Sequence, residues 1–307
     1  MLGVILGLGS ALAFGASAIT TRRGVLRARS NYIATISIFI GPPFFLIAAT
    51  LKGDIYQIHQ WPWQAYVFLA LSGVTHFALG RTWAYRSVQL IGSTRSYLVN
   101  NLTPIVSITL AMIVFKETIK PLMFLGILFS LLGPLLTLVK EKTVARGAQL
   151  MANSRGKELD RHTLFVGMFY GMGAAIFWGS SAIFVKLGLE SGGSPVAGSL
   201  IAYVAASIFT TPSLLLNREN KREIIETDRK SFQIAFVNGL MTNIAHLLRY
   251  LALGYGSVIL VTLLMRTNNL WVLLFSYIFN REYESFSRWV LLGNILLIAG
   301  TVLVIIS

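Results

Sequence analysis

The 307-residue chain contains no cysteine, which excludes disulfides, thiolate nucleophiles and cysteine metal sites. Charged residues are scarce at 12%, whereas a soluble globular protein carries about 25%. No GxxxxGK[ST] motif is present, so the chain encodes no phosphate-binding loop for an ATP-driven cycle. Hydrophobic residues make up 55%, and mean hydropathy is +0.68. This composition predicts an all-α integral membrane protein that is not an enzyme and needs no cofactor.

Ten apolar segments follow one another along the chain, each close to the roughly 20 residues that cross a bilayer as a helix. They lie at 2–20, 31–51, 65–85, 92–115, 120–139, 163–187, 196–216, 232–253, 257–279 and 287–306. A longer polar linker, 140–162, separates residues 1–139 from residues 163–307, with five segments on each side. We therefore predict ten transmembrane helices in two five-helix units joined by this linker.

The net charge of +14 comes mainly from short loops between apolar segments. Eighteen of the 26 Lys and Arg residues fall in loops on one side of the predicted membrane, Arg86 among them, and four on the other. Because basic loops stay in the cytoplasm, we predict that both termini lie outside. The membrane itself is expected to be the plasma (inner) membrane. The loop charges favour anionic lipid headgroups over nucleic acid as a partner. The protein is expected to be a monomer or a homodimer.

The two five-helix units repeat one another. Three features recur in the same order. Gly7-Leu8-Gly9 with Phe14-Gly15 in the first unit matches Gly171-Met172-Gly173 with Trp178-Gly179 in the second. Glu117 then matches Glu282, and the pair Gly126 and Gly133 matches Gly293 and Gly300. Because five is an odd number of spans, the second unit must insert upside down relative to the first. Inverted repeats predict a site near the midplane, around a central cavity that is reached alternately from each side.

Two stretches, and a weaker copy of the second at Asn269, Glu282, Gly293 and Gly300, carry a family resemblance. One is Phe177-Trp178-Gly179-Ser180-Ser181-Ala182-Ile183-Phe184-Val185-Lys186, and the other is Leu102-Thr103-Pro104 followed by Glu117 and the glycine pair. The whole chain resembles the drug/metabolite transporter superfamily in its EamA-type branch. It departs from that pattern at Asn269, where a proline is expected, and at Phe14, in the tryptophan position. The resemblance implies a ten-helix basket whose cavity is lined by the third, fourth, eighth and ninth helices, among others.

The ninth segment, 257–279, carries Arg266 near its middle. A charge at that depth costs about 2.5–3.5 kcal/mol on insertion scales, so it should face protein or water rather than lipid. On a continuous helix, Thr262, Arg266 and Asn269 would form one polar stripe, with Asn268 beside it. No carboxylate lies well inside a predicted helix, so Arg266 should meet backbone carbonyls, water or an anionic substrate. A structural clamp on carbonyls is the alternative to a role in the transport pathway.

Three other arginines and two histidines fall within predicted helices, namely Arg81, Arg95, Arg249, His76 and His246. Each is a candidate for binding substrate. Arg81, Arg95 and Arg249 lie near helix ends, where basic side chains commonly extend to the membrane surface instead. The histidines could carry protons or simply be hydrogen-bonded interior groups.

Polar and aromatic residues complete the candidate set. Tyr97, Asn100 and Asn101 precede Pro104, and either line the pathway or hydrogen-bond between helices. Aromatic residues could wall the cavity or anchor helices at the membrane interface, namely Trp83, Tyr85, Trp178, Tyr250 and Trp271. Glu117 is interpreted as a loop charge or a helix cap.

These features predict a secondary transporter that moves a small anionic or zwitterionic organic metabolite by alternating access. The guanidinium of Arg266 would neutralise the anionic group, since arginine matches carboxylate and phosphate geometry. Two alternatives stay open: an exporter of amino acids or drugs without anion preference, and a non-transporting membrane scaffold.

Overall fold

The computed structural model describes residues 1–25, 30–91, 96, 99–140, 161–216, 228–279 and 288–307, and every regular element within these ranges is a helix. The helices are α1 (Leu2–Val25), α2 (Ser30–Lys52), α3 (Trp63–Gly73, Val74–Gly80 and Arg81–Ile91), α4 (Thr103–Val114), α5 (Pro121–Lys140), α6 (Arg161–Glu190), α7 (Pro195–Leu216), α8 (Arg229–Tyr255), α9 (Val258–Met265 and Asn268–Phe279) and α10 (Arg288–Ile306). A short 3₁₀ helix, Asp54–Gln60, joins α2 to α3. The predicted all-α fold is confirmed.

Five helices in the described ranges are long and apolar enough to cross a membrane: α1, α2, α6, α7 and the two parts of α9 taken together. Shorter apolar stretches lie in α4, α5 and α10. Apolar side chains are exposed along many of these helices, as expected for surfaces that face lipid. The chain is therefore a multi-pass membrane protein.

The first helix of each unit packs against the other unit. α1 lies against α8 and α9, and α6 lies against α3 and α4. At equivalent positions of the two helices, Gly15 faces the Trp271 side chain, and a Cβ on Gly179 would lie 2.7 Å from Val106. Because Gly15 and Gly179 are equivalent in the repeat, the two contacts are copies of one packing arrangement. Only glycine leaves room for such close approach.

The fifth helix of each unit pairs with its counterpart. α5 and α10 pack closely along their lengths. A Cβ on Gly126 would lie 2.7 Å from the carbonyl oxygen of Gly300, and Gly133 faces the carbonyl of Gly293. The glycine pairs that define the repeat in the sequence therefore form this interface.

The third helix changes its winding at mid-length. Val74–Gly80 forms a π-helical segment between two α-helical parts. Such segments are rare, and they often mark functional positions because they displace side chains from the regular α-helical register. This one carries His76 and Phe77, and Arg81 follows it directly.

The predicted fourth and ninth segments are both interrupted, just before α4 and within α9. The amide of Leu102 donates to the carbonyl of Val99, and the amides of Arg266 and Thr267 donate to Leu263 and Leu264, in each case at 3.0 Å. In each turn the amide donates to the carbonyl three residues earlier, instead of four residues earlier as in an α-helix. The ninth segment is therefore not the continuous helix that the sequence analysis expected. The Thr267 hydroxyl also donates to the Leu264 carbonyl, and such side-chain bonds compete with the helix.

Candidate functional site

A hydrogen bond joins the turn before α4 to the turn within α9. The Arg266 guanidinium donates to Oδ1 of Asn101 at 3.2 Å. The two residues are equivalent in the repeat, because each lies three positions before the matched pair Pro104 and Asn269. Arg266 is half-buried and Asn101 is buried. Arg266 thus faces the other unit, and an amide oxygen accepts from its charged group.

The other candidates on α9 flank this contact. Thr262 precedes the interruption, whereas Asn268 and Asn269 begin the second part of the helix. All three side chains are half-buried. A continuous helix would place Thr262, Arg266 and Asn269 in one stripe. Because the helix is interrupted by a turn at Arg266, these polar groups lie around that turn instead.

A second cluster centres on Arg249 of α8. Its guanidinium donates to Oγ of Ser181 at 3.1 Å and lies 3.4 Å from Nδ1 of His76. The Ser181 hydroxyl is also 2.9 Å from His76 Nδ1. Only 8% of Arg249 is exposed. Arg249 therefore points into the protein, where α3, α6 and α8 meet, and does not extend to the membrane surface.

His246 and Trp178 border the Arg249 cluster. The His246 ring lies 5.0 Å from the His76 ring and 4.8 Å from the Phe14 ring, measured between centroids. The indole of Trp178 donates to the backbone carbonyl of His76 at 3.0 Å. This bond satisfies a carbonyl of the π-helical segment, so Trp178 supports the conformation that places His76.

Tyr250 follows Arg249 on α8 and is fully buried. Its hydroxyl lies 2.8 Å from Oγ of Ser72 on α3. That bond ties α8 to α3 next to the Arg249 cluster. Tyr250 therefore positions this cluster through helix packing.

Arg81 lines a cavity of about 660 Å³ between α2, α3 and α7. Its guanidinium donates to the carbonyl of Ala34 at 2.9 Å and lies 5.9 Å from the centre of the Phe77 ring. The cavity extends to Gln89 and Leu216, at the helix ends that lead into the basic loops. It is large enough for a small metabolite.

The remaining aromatic candidates lie apart from one another. Trp83 packs on α6 against Phe169, Tyr170 and Phe177, with ring centroids 5.1–5.7 Å apart. Trp83 is not among the cavity-lining residues, whereas Tyr85 is. Trp271 lies against Gly15 of α1. Arg95 and Tyr97 lie outside the described residues.

The acidic side chains of the described part lie at helix ends and away from both clusters. Glu117 accepts hydrogen bonds from the amides of Val258 at 2.7 Å and Ile259 at 3.0 Å, so it caps the start of α9. Asp54 accepts from the hydroxyl of Ser194 at 2.6 Å, at the start of α7. Both bonds join the first unit to the second, at the end of the molecule opposite the cavity mouth.

No described carboxylate pairs with Arg81 or Arg249. The ion pairs among described residues are Lys52–Asp54 and Lys186–Glu190, both at helix ends. The described residues also contain no group of His, Asp and Glu that could hold a metal ion. The candidate site is therefore cationic, with hydroxyl, imidazole and aromatic neighbours.

Comparison with protein families agrees with this architecture. Residues 1–139 and 165–306 each match the model of the EamA-like transporter family. The chain belongs to the EamA-like transporter family. Membership confirms the resemblance and indicates a membrane transporter of small molecules.

A solved crystal structure of another protein shares the fold of this EamA-like chain, with a TM-score of 0.77 and 13% identity. The match covers 98% of this chain and 94% of that one. No curated protein matches the sequence. At this identity the similarity concerns the fold alone.

Sequence reasoning missed three contributors to the site of this EamA-like protein: Ser181, Tyr203 and Phe77. Ser181 lies in the stretch that carries the family resemblance, one turn after Trp178, and a polar position there could have been singled out. Tyr203 and Phe77 look like ordinary core residues in the sequence. Their proximity to His246 depends on the packing of α3, α7 and α8.

Proposed function

We propose that the protein is a secondary transporter that moves a small anionic or zwitterionic organic metabolite by alternating access. In this proposal all ten helices cross the plasma membrane, as inverted units 1–139 and 163–307 joined by the linker 140–162. The basic loops and the cavity mouth face the cytoplasm, and both termini face outward. The two units rock against each other to expose the site on either side.

The observation that carries the proposal is the cationic site without a described carboxylate. Arg81 lines the cavity, and Arg249 lies buried beside His76 and Ser181. Buried charges are costly unless they are paired, and arginine binds carboxylate or phosphate with two parallel hydrogen bonds. An anionic group of the substrate would provide the missing negative charge.

The Arg266–Asn101 contact supplies a second polar position, where the two units meet. Asn268 and Asn269 lie beside it and offer amide groups for the polar parts of a substrate. With no described carboxylate at membrane depth to carry a proton, we favour exchange or facilitated diffusion.

Counterflow in proteoliposomes tests the proposal. Uptake of a labelled organic anion should fall at least about tenfold in Arg249→Gln, because one lost charged hydrogen bond costs about 1.5–3 kcal/mol. Arg249→Lys should retain part of the activity, since it keeps the charge but loses the planar geometry. The matched control is Arg161→Gln, which removes an exposed arginine at the start of α6 and should leave uptake unchanged.

Two results would overturn the proposal. Anion uptake that is unaffected by Arg249→Gln and Arg266→Ala, with equal uptake of organic cations, would reject anion recognition and leave a transporter without charge preference. The absence of uptake for anions, zwitterions and cations would favour a membrane scaffold.

A further inference from the structure

Phe77 separates the open cavity from the buried cationic cluster. Its side chain is among the cavity-lining residues and is 1% exposed. Behind it, its ring lies 4.9 Å from His76 and 4.7 Å from His246, between ring centroids. His76 in turn contacts Arg249 and Ser181. The cavity and the cluster are therefore close neighbours with one aromatic ring between them.

Several buried polar atoms without hydrogen-bond partners lie on α7, next to the Phe77 ring. The hydroxyls of Tyr203, Ser207 and Thr210 are buried and have no hydrogen-bond partner among the described residues. Nδ1 of His246 is likewise buried without a hydrogen-bond partner there. By contrast, the neighbouring Thr211 hydroxyl donates to the carbonyl of Ser207 in the usual helical manner. Roughly 90% or more of buried polar groups are satisfied in proteins, so a row of unsatisfied ones indicates a path for water or ligand.

This row connects the two sides of Phe77. Thr210 lines the cavity, and Ser207 and Tyr203 follow at intervals of three and four residues on the same face of α7. The Tyr203 ring packs against Phe77 with centroids 4.3 Å apart and lies 6.0 Å from His246. A displaced Phe77 would open the cavity onto Tyr203, His246 and the cluster behind them.

The backbone at Phe77 is suited to such a displacement. Phe77 lies in the π-helical segment Val74–Gly80, between α-helical parts of α3. Conversion of a π-turn to regular α-helix shifts the helical register by one residue. Side chains on one side of the turn then rotate by about 100° about the helix axis relative to those on the other side. A local change of winding can thus swing the ring without moving the whole helix.

We propose that Phe77 is the gate between the cavity and the Arg249–His76 site, and that Tyr203, Ser207 and Thr210 form the polar wall of the passage it opens. The gate rests on the proposed function, because the passage is the substrate route only if the protein is a transporter. The occlusion itself can be tested without measuring transport.

Single-cysteine labelling provides that test, because the natural chain has no cysteine and each introduced thiol reports alone. Ser181→Cys places the thiol beside Arg249 and His76, behind Phe77. Ser213→Cys places it in the cavity, as the accessible control, because Ser213 lines the cavity and is exposed. Ser10→Cys is the buried control, since Ser10 lies at the α1–α8 contact, where its hydroxyl bonds the Ala245 carbonyl. Labelling uses purified full-length protein and an anionic methanethiosulfonate.

With Phe77 present, Ser181→Cys should react far more slowly than Ser213→Cys. Combining it with Phe77→Ala should raise its rate about 10- to 1,000-fold, as expected if the open state is normally 0.1–10% populated. Ser10→Cys should stay slow in both backgrounds, which shows that the fold is intact. Phe77→Leu is a milder second variant and should give an intermediate rate.

Two outcomes would overturn the gate. One is rapid labelling of Ser181→Cys with Phe77 in place, at the rate of Ser213→Cys. The other is continued protection of Ser181→Cys in both Phe77→Ala and Phe77→Leu while Ser213→Cys still reacts. Neither depends on substrate identity, so failure of the gate is separable from failure of the transport proposal.

Discussion

Removal of the Glu117 carboxylate should weaken the contact between the two units. Glu117 accepts from the amides of Val258 and Ile259, at the positive end of α9. Glu117→Ala loses both bonds and leaves two amides without their acceptor, for an expected loss of about 2 kcal/mol in the free energy of unfolding. Glu117→Gln keeps one acceptor oxygen but loses the charge, so about 1 kcal/mol is expected.

Titration with a denaturing detergent in mixed micelles measures these losses, and the six tryptophans provide the fluorescence signal. The matched control is Glu190→Gln. Glu190 is also acidic and at a helix end, but it is 52% exposed and only pairs with Lys186 at 3.6 Å. Such exposed pairs contribute about 0–1 kcal/mol. The capping argument is refuted if Glu117→Ala and Glu190→Gln unfold at the same detergent fraction.

Three further stability predictions use the same titration. Gly73→Ala should cost more than about 2 kcal/mol because its methyl group would collide with the Ala202 backbone, whereas Gly9→Ala meets only a Leu248 methyl at 3.6 Å and should be neutral or stabilising; equal stabilities would contradict this. Lys116→Gly should stabilise by about 1 kcal/mol, since Lys116 has a φ of 55°, and a loss would refute the strain argument. A double-mutant cycle of Arg266→Gln and Asn101→Ala should show a coupling of about 0.5–1.5 kcal/mol, and strict additivity would exclude a contribution from their bond.

The sequence is sufficient to predict helices, because hydropathy and periodicity are local properties. The repeat also predicts which residues are equivalent, and the equivalence of Gly15 and Gly179 appears in the structure as matched packing contacts. What hydropathy does not encode is where a helix is interrupted. The turn at Arg266 depends on competing hydrogen bonds such as the one from the Thr267 hydroxyl to the Leu264 carbonyl. The hydropathy of the segment does not reveal this turn, because the surrounding residues are apolar.

The residue types of the candidate site could be predicted from the sequence, but not their grouping. Arg249, His76 and His246 stand out in the sequence as polar residues in apolar segments. Their mutual contacts depend on how α3 and α8 cross, and on the π-helical segment that sets the direction of His76. Trp83 packs against aromatic residues of α6 and does not line the cavity, which its sequence position alone does not indicate.

The exchange of partners between units has a consequence for biosynthesis. α1 packs against α8 and α9, which leave the ribosome some two hundred residues later. Glycine positions of α1 such as Gly15, which faces Trp271, therefore lack their partners while most of the polypeptide is still being translated. During that interval this face of α1 is exposed to lipid, and α1 reaches its final packing only after α8 and α9 have inserted.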